Sequence, residues 1–385
     1  MIVQPSRTSH RRIRVLQFAD LVNRHDFIDV IVRHADGSRF DVAVATLGIP
    51  SNIADPEYRA YGVQCWSLDA PKRADYPRAV ISLASLIHRE RFDIVHSHHY
   101  EPTLIAAAAV TLNPGARLVL GRHYSDAIYR NTVGAKRKAM LVAEAACNRR
   151  AARLVVPSTM IERLLRAQGV RSDKITVIPY GFEEEKFRVD HRDVETVRRE
   201  LGLPGRFSIG TFARLYHDKG HRYLLKAMPS IVRAHPEVLL LLAGEGAERS
   251  ALESQVDNLR LRDHVRFLGW RKDRLALMAA VDLVVQPTLQ EAFSQAMIEP
   301  LWLGRPLVMT DVSGARDVLE DGVNAVVLPP ADTAALRDAL LRLAADADLR
   351  IRLGHAAKNV RKRLSVTSIV PFYEAVYGDV VSRMS

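Results

Sequence analysis

"FSIGTFARLYHDKGHRYLLKAM" (207–228) runs from an apolar stretch through a turn into an amphipathic helical stretch. Its first seven residues lack regular polar alternation, which suits a parallel strand buried on both faces. Arg214 stands just past the strand end, and Lys219-Gly220 opens the helix. A strand end, a flexible turn, a helix N-terminus and two cations together form a cradle for a diphosphate.

The same alternation extends in both directions. Upstream, strand-like runs lie at 13–18, 41–47, 63–68, 93–98, 117–123, 153–158 and 175–181; a helical stretch such as 74–91 fits a crossover connection. Downstream they recur at 237–244, 265–270, 282–288, 305–312 and 324–330. Between the two series lies the charged segment "FEEEKFRVDHRDVETVRRELGLPGR" (182–206), whose composition and Pro204-Gly205 pair mark a domain boundary. The expectation is α/β throughout: two units, 1–190 and 191–365, with 366–385 a closing helix in which Pro371 introduces a kink. A chain of 385 residues also exceeds what one core usually serves. Ligands of such sheets bind outside the carboxyl ends of strands.

Hydrophobic content of 48% and charged content of 26% are those of a soluble globular protein. No apolar run reaches the ~18 residues that span a bilayer, and the N-terminal stretch does not read as a signal peptide. Cys65 and Cys147, far apart in sequence, point to reduced thiols and a cytoplasmic location. A net charge of +11 favours anionic partners. Basic residues concentrate in 130–153, at Arg130, Lys136, Arg137, Lys138, Arg149, Arg150 and Arg153. That stretch reads either as a solvated helix face or as a surface for anionic lipid at the inner face of a membrane. Nucleic acid is set aside, because no helix-turn-helix, RNA-binding or zinc-finger pattern accompanies the charge.

"TLQEAFSQAMIEPLWLG" (288–304) follows the strand "DLVVQPT" and carries Glu291 and Glu299. Glu291 belongs in the loop at the strand's carboxyl end, Ser294 and Gln295 begin a helix, and Glu299 lies one to two turns in. Amide groups at that helix start suit a phosphate, and carboxylates accept hydrogen bonds from sugar or ribose hydroxyls. Glu291 also reads as simple helix N-terminal charge. Glu299, set among Met297, Ile298, Leu301 and Leu303, needs a partner if it is buried. Pro300 is expected to shorten or kink the helix.

Taken in order, "GTFARLYHDKGHRYLLKAM", "LLLAGEGAERSALE", "VRFLGW", the Glu-x7-Glu stretch and "DVSGARDVLEDGVNAVVLPPAD" resemble the family 4 retaining glycosyltransferases. The resemblance covers nearly the whole chain. It implies the GT-B fold, with an N-terminal acceptor-binding and a C-terminal donor-binding Rossmann-like domain facing across a central cleft, and a last helix returning to the first domain. It implies that Arg214 and Lys219 neutralise the donor diphosphate and that Glu299 holds the ribose. Glu291, Phe293, Ser294 and Gln295 would meet the transferred sugar and its phosphate, Trp270 and Arg271 would face the base, and Gly314 would lie in a small-residue turn near the site.

In the first half, His96, His98 and His99 sit at one strand end and His123 at the next. No carboxylate joins them at ligand spacing, so a metal is not expected. By resemblance His123 is the active-site histidine near the reacting sugar, and His98 is structural or faces the acceptor. The chain departs from the pattern in three places. Tyr180 replaces a usual Asn, "FADLVNRHDFIDVI" lacks the Gly-Gly loop of many relatives, and Ala292 and Gln295 stand where many have glycine.

The implied reaction moves a sugar from a nucleoside diphosphate to a hydroxyl of a saccharide or lipid-linked acceptor, with retention and without a metal or other cofactor, in polysaccharide, lipopolysaccharide or glycolipid synthesis. No carboxylate nucleophile for a double displacement is evident; the resemblance implies a same-face mechanism with His123, Arg214, Lys219 and Glu291 as the catalytic set. The rival readings are a sugar-nucleotide epimerase of the same fold and a non-enzymatic basic scaffold that binds anions. For the scaffold, Glu291, Glu299 and Arg214 would be dispensable.

Overall fold

The computed structural model describes residues 11–20, 26–48, 58–124, 133–291, 295–312 and 314–383. They form two compact units, Met1–Phe182 with Val366–Ser385, and Glu183–Ser365. The division thus falls between Phe182 and Glu183 rather than after 190. The charged helix His191–Glu200 and the 3-10 turn Glu184–Phe187 belong wholly to the second unit.

Each unit is built on one parallel sheet. In the first, strands β1 (Ile13–Ala19), β2 (Phe40–Thr46), β3 (Cys65–Ser67), β4 (Ile94–His98), β5 (Arg117–Gly121), β6 (Arg153–Val156) and β7 (Ile175–Val177) pair in the order β3-β2-β1-β4-β5-β6-β7. In the second, β8 (Ser208–Phe212), β9 (Leu239–Ala243), β10 (Val265–Gly269), β11 (Leu283–Gln286), β12 (Leu307–Thr310) and β13 (Val326–Leu328) pair in the order β10-β9-β8-β11-β12-β13. Every ladder is parallel, with Val15 opposite Val42 and Gly210 opposite Leu241 as examples of register.

The strands are short and apolar because helices cover both faces, as in the fully buried β9. Both sheets reverse their winding once, between β1 and β4 and between β8 and β11. Loops leaving the carboxyl ends there diverge to opposite sides and open a crevice, the place where ligands of such sheets bind.

The helix Val366–Ser382 packs on the first unit. Ile369, Tyr373, Val376, Tyr377 and Val380 join Val15, Ile31, Ile94, Val119, Val155 and Ile178 in one buried cluster. Pro371 lies inside that helix without ending it. Two residues of the same helix separate packing from propensity. Ile369→Ala should cost about 2–4 kcal/mol in urea unfolding, since a buried aliphatic leaves a cavity. Phe372, 56% exposed, should cost within about 0.5 kcal/mol on change to Ala. Equal costs would contradict the packed face.

Candidate functional site

In the second unit the crevice is formed by the loops after β8 and β11. A 3-10 turn, His217–Lys219, leads to Gly220, whose left-handed φ of 71° starts the helix His221–Ala234. Only glycine fits there, because a Cβ would stand 1.9 Å from the carbonyl oxygen of Pro287. That close approach brings the two loops together, and the Leu289 amide donates to the Asp218 carbonyl at 2.7 Å. The loop after β9 is drawn in likewise: the Leu215 amide donates to the Glu245 carbonyl at 2.9 Å, and a Cβ at Gly244 would meet the Ala213 carbonyl oxygen at 2.0 Å.

Two expected residues meet as a result. Lys219 Nζ lies 3.2 Å from Glu291 Oε1 and 3.6 Å from Asp218, with the lysine side chain only 12% exposed. The second oxygen of Glu291 is buried and has no hydrogen-bond partner among the described residues, an acceptor left for a ligand donor. Arg214 is exposed beside the loop, its guanidinium 5.1 Å from the centre of the Tyr216 ring. His221, the first residue of the helix, is nearly fully buried, and neither ring nitrogen has a protein partner. Burial, and secondarily the Lys219 charge, lower its pKa to about 4, so it is neutral at pH 7. Nothing about a lone His after Gly distinguishes it in sequence.

Glu299 lies in the short helix Ile298–Trp302, after the 3-10 turn Gln295–Met297. Its Oε1 is 2.6 Å from Arg274 Nη2, which supplies the partner that a carboxylate among apolar neighbours requires. Arg271 is held by two carboxylates, Asp273 at 2.7 Å and Glu200 at 2.9 Å, and the hydrogen bonds it donates to both raise its pKa. Its charge is therefore already balanced, whereas its neighbour Trp270 is 74% exposed. Gly314 has φ 67° and starts the short helix Ala315–Val318. Phe293 and Ser294 lie outside the described residues, as does Ala292.

The first unit brings His96 and His98 of β4 and His123 after β5 together beside Gln17 of β1. His98 Nδ1 and His123 Nε2 are 2.9 Å apart, His123 Nδ1 is 2.9 Å from the Tyr180 hydroxyl, and His98 Nε2 is 2.8 Å from Gln17 Oε1. Gln17 Nε2 in turn donates to the Tyr377 hydroxyl at 3.0 Å, which lies 2.8 Å from His96 Nδ1. Phe27 stacks on His123 with ring centres 3.8 Å apart. Gly121 makes the histidine pair possible, for a Cβ there would be 2.5 Å from His98 Nδ1 and 2.7 Å from His123 Nε2. His99 instead pairs with Asp20 at 2.7 Å. Among the described residues no group of three or more His, Cys, Asp or Glu is arranged to hold a metal ion. Sequence reasoning missed Gln17, Gly121, Tyr377 and Arg274; a Gln inside the apolar run "IRVLQFA" was the one available signal, because a buried amide needs partners.

Two parallel Rossmann-like units define the chain as α/β with the GT-B fold, and the crystal structure of Anabaena HepE in complex with UDP superposes at a TM-score of 0.82 over 95% of this chain and all of that one, with 22% identity. Residues 25–181 match the model of the glycosyl transferase 4-like domain and residues 193–360 that of glycosyl transferases group 1. The chain belongs to the family 4-like glycosyltransferases. Among curated relatives, the alpha-D-kanosaminyltransferase of Streptomyces kanamyceticus is 32% identical over 43% of this chain and 44% of its own length. The N-acetyl-alpha-D-glucosaminyl L-malate synthase of Bacillus anthracis is 26% identical over 80% of this chain and 81% of its own. The chain thus spans less than half of the first relative.

The buried histidines carry a pH prediction. Burial lowers the pKa of His96 to about 3 and contributes most of the lowering of His221 to about 4. An unfolded histidine takes up its proton near pH 6.5, while these two stay neutral in the fold. Their contribution to stability is therefore complete above about pH 6.5 and declines as pH falls towards 4, with a slope of up to ~1.4 kcal/mol per pH unit each. In urea unfolding at pH 7, 6 and 5, His221→Asn should flatten the decline. An unchanged slope would show that His221 titrates normally.

Proposed function

We propose that the protein transfers a hexosyl group from a nucleoside diphosphate sugar to a hydroxyl acceptor in glycan synthesis, with retention at the anomeric carbon and without a metal. The observation that carries this reading is the Lys219–Glu291 pair, held where the β8 and β11 loops meet and keeping one carboxylate oxygen unspent. The departing diphosphate develops negative charge, which Lys219, Arg214 and the N-terminus of the helix His221–Ala234 offset. Glu291 accepts a hydrogen bond from a hydroxyl of the transferred sugar. Glu299, steadied by Arg274, accepts from the ribose, and Trp270 offers an exposed ring to the base. Phe293, Ser294 and Gln295 meet the sugar phosphate in this reading, and His98 and His123 serve the acceptor side. Arg271 contributes by fixing the loop beside Trp270, since its own charge is taken up by Glu200 and Asp273.

In the reaction the bond from the anomeric carbon to the diphosphate oxygen breaks and one to the acceptor oxygen forms on the same face. The acceptor proton passes to the leaving phosphate. HepE was solved with UDP, which makes uridine the first base to try. Thermal melting across a panel of nucleoside diphosphates should show a shift of several degrees with one of them. Saturation at 100 times Kd supplies ~2.7 kcal/mol. Glu299→Ala should abolish the shift, and Lys219→Ala should lower kcat roughly 100- to 1000-fold, the usual loss for one transition-state donor. A melting point unmoved by every nucleotide would defeat the reading.

We further infer a membrane-borne acceptor. No helix among the described residues is long and apolar enough to cross a bilayer. The helix Gly134–Arg150, however, exposes Lys136, Arg137, Lys138 and Arg149 together with Val142, and Val133 precedes it at 80% exposed. Cations beside exposed apolar side chains suit an interface with anionic lipid. In vesicle sedimentation the protein should bind phosphatidylglycerol-rich but not phosphatidylcholine vesicles, and the triple change of Lys136, Arg137 and Lys138 to Glu should remove that binding. Equal binding by the variant would place the contact elsewhere.

A further inference from the structure

Six side chains of the first unit form one continuous hydrogen-bonded chain, Tyr180–His123–His98–Gln17–Tyr377–His96. It joins the end of β5 to the C-terminal helix through groups that are almost wholly buried, apart from His123. Gln17, His98, Tyr377 and His96 are each at most 1% exposed.

The protons of such a chain are not independent. Where both imidazoles are neutral, one nitrogen donates and the other accepts, and each ring carries a single N–H. Two arrangements carry one polarity from end to end. The Gln17 amide selects between them: its oxygen faces His98 Nε2, and its nitrogen faces the Tyr377 hydroxyl. His98 must then carry its proton on Nε2 and accept at Nδ1 from His123 Nε2–H. His123 Nδ1 becomes an acceptor, bonded by the Tyr180 hydroxyl. At the far end, with the same polarity, Tyr377 accepts from Gln17 and donates to His96 Nδ1, which puts the His96 proton on Nε2, an atom that is buried without a hydrogen-bond partner among the described residues. Reversing the amide would reverse every bond and move all three protons to Nδ1.

We propose that Gln17, His98 and Tyr377 are positioning residues that hold His123 in its Nε2–H tautomer, so that Nδ1 accepts a hydrogen bond from a substrate hydroxyl exchanging with that of Tyr180. This rests on the reading above in which His123 serves the sugar-transfer site. The ring is held in place by two further features. Phe27 stacks on it with planes 17° apart, and the glycine at 121 leaves room for His98 and His123 to touch. A histidine held in this way can bond a hydroxyl but not a bare phosphate or carbonyl oxygen, which would need a donor at Nδ1.

The test is long-range proton–nitrogen correlation NMR of the whole protein, 15N-labelled at histidine, at neutral pH. His96, His98 and His123 are assigned from single replacements. All three should show the Nε2–H pattern. Tyr377→Phe and Gln17→Leu, which remove the group that orients the amide or the amide itself, should each give mixed tautomers at His98 and His123. Tyr377→Phe should also lower kcat for sugar transfer by at least about tenfold, while the donor KM changes by less than about twofold. Different tautomers among the three histidines of the unaltered protein, or a common Nδ1–H pattern, would overturn the proposal. So would a folded Tyr377→Phe protein whose histidine pattern is unchanged. The unaltered protein decides the polarity even if a variant fails to fold. It also does so without catalysis, so a protein that transfers no sugar would refute the functional reading while the spectrum still reported on the chain.

Discussion

Parallel strands with both faces buried impose the arrangement on which everything else here depends. Each strand must be re-entered from the same end, so helices cover both sides of the sheet and all carboxyl-end loops collect along one edge. Where strand order reverses, at β1/β4 and at β8/β11, adjacent loops part. Polar groups can be concentrated there without disturbing the apolar interior. Lys219, Glu291, His98 and His123 stand on such an edge or on a loop leaving it.

Within the second unit the edge is tightened by backbone contact rather than by side-chain packing. Gly220 against Pro287 and Gly244 against Ala213 bring three loops closer than any residue with a Cβ would permit. Lys219 and Glu291 gain their ion pair from that contact, and the pair is partly shielded from water, where charge interactions are stronger. Glu299 and Arg271 show the other use of charge: each is satisfied by neighbouring ionic groups, which fixes the backbone beside the crevice.

The first unit relies on polar groups sealed inside an apolar cluster. In a buried hydrogen-bonded chain each pairing constrains its neighbours, because an orphaned donor or acceptor costs about 1–3 kcal/mol; His96 Nε2 at the far end is such an orphan. Gln17 on β1 and Tyr377 on the C-terminal helix therefore constrain each other and, through His98, constrain His123. The returning helix thus has two tasks, closing the apolar cluster with Ile369 and Val376 and completing a polar one with Tyr377.

The sequence by itself determined the α/β class, where the strands fall along the chain, the positions of Lys219, Glu291, His98 and His123 near strand ends, and that of Glu299 in the helix that follows Glu291. Those features follow from local hydrophobic runs and the turns between them, which short stretches of chain encode. Tertiary structure alone decided which groups meet. Arg274 beside Glu299, Glu200 on Arg271 and Tyr377 against Gln17 pair elements that no local pattern links. Even the domain boundary moved to Phe182, because composition marks a change in the chain whereas contacts decide which sheet a segment joins. Hydrophobic periodicity is read along a strand or helix, but hydrogen bonds and ion pairs depend on distances that exist only once both sheets have closed.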